Sequence, residues 1–165
     1  MRFVLAPGYQ TEFNTRGSVC FTKLADSTSC RSLYSEISNF IKEKTDSRDD
    51  RSYRCLFRSL PSVERFIYRQ GLADFASALL SRRPLWLVYD EFMPYPRSVE
   101  YVKKDHEDCI LLLNLRHKEN IGDGIFFCEK LPESVSSRQS PGNGFLLLSF
   151  SYVRMPQHCP MFNCS

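Results

Sequence analysis

No apolar run in this sequence is long enough to cross a membrane. Runs such as Ile110–Leu113, Phe145–Leu148 and the slightly longer Leu85–Tyr89 fall far short of the ~20 residues a helical span needs. No secretory leader is expected either, because Pro7-Gly8 ends the short apolar run of MRFVLAPGYQTEF. The seven cysteines, Cys20, Cys30, Cys55, Cys109, Cys128, Cys159 and Cys164, include no C-x-x-C pair. That spacing argues against a zinc knuckle or a thioredoxin-type redox site. There is no G-x-S-x-G nucleophile elbow. Gly122-Asp123-Gly124 and Gly142-Asn143-Gly144 read as turns, since neither continues to the G-K-[ST] of a phosphate loop. The expected setting is cytoplasmic or nuclear, with reduced thiols, no cofactor and no membrane contact.

What is present suits one globular domain spanning residues 1–165. Apolar residues at 42% and charged residues at 25% match ordinary globular usage and argue against disorder. Thirteen Phe and eight Tyr supply burial units large enough for a core without disulfide or metal staples. The net charge of +3 is mild, and Arg outnumbers Lys about two to one. Guanidinium groups suit planar recognition of carboxylates and phosphates.

The apolar periodicity changes along the chain. Arg2–Ala6 and Ser18–Leu24 read as short strands. Leu33, Ile37, Phe40 and Ile41 form one helical stripe, preceded by N-cap candidates Ser27, Thr28 and Ser29. Residues 44–52 read as a solvated loop. Helical spacing resumes at Tyr53, Leu56, Phe57 and Leu60, restarts at Pro61, and again after Gly71. From Leu85 the pattern is that of strands: Leu85–Tyr89, Ser98–Lys103, Cys109–Leu115, Ile125–Cys128 and Phe145–Val153. The prediction is an α+β fold, an antiparallel or mixed sheet with a cluster of helices on one face. Its helix-rich part covers residues 32–83, its strand-rich part 84–153, and an irregular tail 154–165.

The candidate sites fall in three groups. Arg54 and Arg58, like Arg65 and Arg69, are spaced i, i+4 and share a helix face; Arg82 and Arg83 follow the last helix. Such a surface suits RNA phosphates or an acidic partner. Asp90-Glu91 ends the Leu85 strand, with Glu100 and Lys103 on the next, which suggests a metal-dependent nuclease. Glu100 and Lys103, three apart, point to opposite strand faces, against that chemistry. His106 with Cys109, and His158 with Cys159 and Cys164, would make a metal site only if the two groups met in space. No metal is expected on spacing alone.

Phe57-Arg-Ser-Leu60-Pro61-Ser-Val63-Glu64 resembles the minimal F-box, a Leu-Pro followed by spaced apolar residues, of the silencing suppressors of poleroviruses. The opening Met-Arg-Phe-Val and the Ser/Arg/Leu/Cys/Phe bias are similar as well. The resemblance implies a viral accessory protein that binds a host ubiquitin-ligase adaptor through Leu60, Pro61 and Val63. The competing explanation is that Pro61 merely begins a helix, with Leu60 in the core. With no catalytic signature intact, the leading expectation is a non-enzymatic regulatory protein acting through protein contacts. An RNA-binding module and a small metal-dependent nuclease are the alternatives.

Overall fold

A computed structural model describes residues 5–44, 53–93, 107–116, 119–129, 144–153 and 161–162. Four α-helices come from the first half: α1 (Pro7–Arg16), α2 (Ser27–Lys44), α3 (Pro61–Arg69) and α4 (Leu72–Leu80). The strands are β1 (Ser18–Phe21), β2 (Tyr53–Arg54), β3 (Leu85–Met93), β4 (Cys109–Asn114), β5 (Gly124–Phe127), β6 (Phe145–Ser151) and β7 (Met161–Phe162). They form one antiparallel sheet in the order β1-β5-β4-β6-β3-β2, with β7 also pairing β3. The fold is α+β, as the sequence predicts.

Alternation of side chains divides the sheet into two faces. Val19, Leu85, Leu87, Phe92, Cys109, Leu111, Leu113, Phe126, Leu146, Leu148 and Phe150 meet the helices on the first. Leu33 and Ile37 of α2, Val63, Phe66 and Ile67 of α3, and Leu72, Ala76 and Leu79 of α4 close that core. The second face gathers Tyr89, Met93, Ile110, Leu112, Ile125, Phe127 and Leu147 into a separate apolar cluster. All of β4 and β5 is buried, which explains why both read as continuous apolar runs rather than alternating ones.

Three elements depart from expectation. α1 has no apolar stripe and buries only Phe13. It is fixed instead by Pro7 in its first turn and by Gly17 in the left-handed conformation, whose N–H donates to the Phe13 carbonyl at 2.8 Å. The helix expected from Tyr53 to Leu60 is replaced by β2 and a single 3-10 turn, Leu56–Arg58. Cys55 lies between them with φ +54°, a left-handed residue that no α-helix accommodates. Tyr53 and Arg54 pair with Phe92 and Glu91 of β3. Finally, β3 runs on through Asp90 and Glu91 to Met93, because β6 pairs with it over that whole length.

Residues 45–52, the Ser98–Lys103 strand and most of the Arg2–Ala6 strand lie outside the described residues. No helix among the described residues is long and apolar enough to cross a membrane.

Candidate active site

The second sheet face carries polar groups at one place, and a change of register in β3 puts them there. Leu85 and Leu87 face the helices. Strict alternation would then send Tyr89 the same way. The β3–β6 register shifts between Leu87 and Tyr89, a β-bulge that inserts Val88 and reverses the alternation beyond it. Tyr89 and Met93 therefore join the second face, while Phe92 returns to the helices. Glu91, between them, goes with Tyr89, and Asp90 is turned inward.

Across the sheet, Tyr89, Ser149, Ile110 and Phe127 form one row of partners. Glu91, Leu147, Leu112 and Ile125 form the next. In this apolar setting the Tyr89 hydroxyl donates to Glu91 Oε2, and Arg54 Nε lies 3.6 Å from Glu91 Oε1. The Glu91 side chain is only 13% exposed and that of Arg54 66%. The trio thus runs from a covered carboxylate to an open guanidinium. At the end of the same sheet Asp108 accepts from the Ser151 hydroxyl at 2.6 Å and from the Tyr152 N–H at 3.1 Å. Chemically, the trio offers a base held by a neutral donor, next to a cation able to receive an anionic group.

Asp90 serves the other face. Its carboxylate is fully buried and accepts the Phe57 N–H at 3.3 Å, while its carbonyl accepts the Cys55 N–H at 2.8 Å. Burial pushes its carboxyl up to about 7, against the opposing effect of the Phe57 and Leu56 N–H groups and Arg58. Asp90 and Glu91 are adjacent in sequence and separated by the sheet, so they do not converge on one ion.

The remaining sites of the sequence reading are dispersed. Arg54 is tied to Glu91, and Arg58 stacks over the Phe57 ring at 5.6 Å. Arg82 lies over the ring of Tyr152, 4.2 Å from its centroid, and Arg83 is exposed beside it. Arg65 and Arg69 share one groove, between α2 and α3. Pro61 is exposed at the first turn of α3, Leu60 is half-buried against the core, and Val63 is fully buried. Val63 cannot reach a partner from that position. Cys109 is buried on the helix side of β4, and His106, His158, Cys159 and Cys164 lie outside the described residues. Sequence reasoning passed over Tyr89, and weighed Glu91 only beside Asp90 as a carboxylate of a metal-dependent nuclease, because nothing in LWLVYDEFM marks the bulge.

A profile for a family described as a domain of unknown function (DUF5070) matches residues 1–156. No curated protein matches the sequence. The structure of CT296 from Chlamydia trachomatis is similar over 93% of this chain and 99% of that one, with 28% identity and a TM-score of 0.76. The epimerase SnoN, in complex with Fe3+, alpha ketoglutarate and nogalamycin RO, covers 87% of this chain and 82% of its own at 10% identity and TM-score 0.62. CytC3 with Fe(II) and alpha-ketoglutarate covers 91% and 78% at 11% identity and TM-score 0.65.

These likenesses correct the functional expectation. The arrangement of the chain is shared with non-heme alpha ketoglutarate dependent enzymes, a carbocyclase and an epimerase, which overturns the reading as a non-enzymatic viral silencing suppressor. Missing sequence motifs had suggested the absence of catalysis, but a catalytic fold does not require any of those motifs. Of the three readings, the small metal-dependent nuclease stands nearest, though none of these neighbours is a nuclease. The donor set for iron is a separate matter. A facial triad needs two histidines and a carboxylate around open positions. No three His, Cys, Asp or Glu residues come together among the described residues. The acids Glu91 and Asp108 are engaged as above, and the three histidines, His106, His117 and His158, lie outside the described residues.

Proposed function

The chain belongs to the DUF5070 family, and from that premise we propose that it is an enzyme acting on a small anionic molecule held on the second face of its sheet. The observation that carries the reading is the Tyr89–Glu91–Arg54 trio, aimed by the bulge onto an otherwise apolar face. The shared arrangement of SnoN and CytC3, whose structures hold α-ketoglutarate, supports a small carboxylic acid as the ligand class. In this reading Arg54 takes the anionic group at the open edge. Glu91 exchanges a proton with the bound molecule, and the Tyr89 hydroxyl fixes the orientation of its carboxylate. Leu112, Ile125 and Leu147, in the same row, exclude water.

The test has two arms. Calorimetric titration with α-ketoglutarate should show saturable binding that weakens about tenfold or more in Arg54→Gln, the scale of one lost charge-assisted contact. Incubation with a small-molecule extract, followed by mass spectrometry, should show a conversion that falls by about 100-fold or more in Glu91→Gln. An extract left unchanged by the wild type, together with no binding of α-ketoglutarate, refutes the proposal.

A further inference from the structure

Helices α2 and α3 do not close completely on each other. Between them lies a groove of about 270 Å³ lined by Ser29, Ser32, Glu36, Ser62, Arg65 and Arg69, with Leu33, Phe66 and Gln70. It is remote in kind from the site above: it sits in the helical layer, whereas the trio sits on the opposite side of the sheet.

Three features set the chemistry of this groove. Arg65 and Arg69 are one helical turn apart and both exposed, and neither has an ion-pair partner among the described residues. The Ser62 hydroxyl is shut off from solvent without a hydrogen-bond partner among the described residues. A buried hydroxyl left unpaired costs about 1–3 kcal/mol, so a ligand oxygen placed there would relieve an existing deficit. Leu33 and Phe66, both buried, give the groove an apolar wall. The single acid, Glu36, is within 3.5 Å of the Ser32 hydroxyl, and the lining keeps a net positive charge. Gln70 accepts the Asp26 N–H through Oε1, which leaves its NH2 as a donor.

We infer that the α2–α3 groove is a binding site for a phosphate monoester of a small organic molecule. A phosphate presents three terminal oxygens. Two guanidinium groups and a serine hydroxyl match that number and offer charge-assisted hydrogen bonds. The volume lies just below the roughly 300–1,000 Å³ usual for ligand pockets, which suits a phosphate and a few carbons against Leu33 and Phe66. A concave groove of this size favours a small ester over a nucleic-acid strand, which would need a continuous basic track. Arg54 and Arg82 are engaged elsewhere and do not extend one.

Glycerol 3-phosphate is the probe, titrated calorimetrically at fixed ionic strength against glycerol as the uncharged control. Saturable binding of the ester but not of glycerol is expected. The Arg65→Gln/Arg69→Gln double variant should weaken it at least tenfold and Ser62→Ala several-fold, while Arg16→Gln, on α1 and outside both sites, leaves it unchanged. Arg65 and Arg69 are exposed, so their replacement does not threaten folding. Inorganic phosphate binding as tightly as the ester would support the anion site with the free ion as its ligand. No binding by the wild type, or equal binding by the double variant, overturns the inference. So does tight binding of a single-stranded RNA oligonucleotide that glycerol 3-phosphate cannot displace.

Discussion

Replacing Asp90 by Asn should stabilise this protein at alkaline pH and do little in mild acid. The carboxyl group is fully buried beneath the 3-10 turn and titrates near 7 instead of 3.8. A folded-state value above the unfolded one means that the native chain holds a proton the unfolded chain has already released. The stability this group contributes is therefore complete below about pH 4 and is lost as the pH rises through about 7. The span from 3.8 to about 7 corresponds to about 4 kcal/mol, at 1.36 kcal/mol per pH unit. Asn keeps the shape and an oxygen for the Phe57 N–H, but carries no charge to desolvate. Its amide nitrogen must also find a place, and the bond from Phe57 weakens once its acceptor is neutral. A net gain of about 1–3 kcal/mol at pH 8 is the expected balance. Urea denaturation of both proteins at pH 5 and pH 8 measures it. Groups other than Asp90 titrate alike in the two proteins and cancel. A difference between wild type and variant that is the same at both pH values would refute the argument.

Two further substitutions test the packing. Gly122 has φ +88°, and a Cβ there would lie 2.1 Å from the Ala25 carbonyl oxygen; Gly122→Ala should cost about 2 kcal/mol or more in chemical denaturation. Val63 is completely buried in the helical core, so Val63→Ala should lower stability by about 1–3 kcal/mol in the same assay. An unchanged denaturation midpoint would show that α3 does not pack as described.

Much of this architecture is legible from residue spacing. The stripe Leu33, Ile37, Phe40, Ile41 has one helical solution, and Gly122 closes the connection from β4 that leads through Asp123 into β5 at Gly124. Pro61 starts α3 and Gly71 precedes α4 because their backbone preferences are local. Features without a local cause stayed hidden. α1 buries a single side chain, so its helix has no periodic signal to read. Tyr53 and Arg54 became a strand because β3 offered them an edge, a long-range choice that overrode their helical spacing. The bulge at Val88 belongs to the pairing of β3 with β6, seen only when both strands are present. The active-site trio depends on that bulge, so the candidate site was less legible than the fold.

The extra residue at Val88 also fixes how β3 can vary in length. Deleting Val88 would restore uninterrupted alternation from Leu85 onward and keep every other side chain on its present face, because Val88 is the residue that the pairing with β6 skips. Drawing Val88 into the ladder with no residue lost would do the opposite: Glu91 would swing into the helical core, and Asp90 and Phe92 would emerge on the other face. The strand can therefore lose a residue at Val88 without losing the site, but it cannot slip past β6 by one.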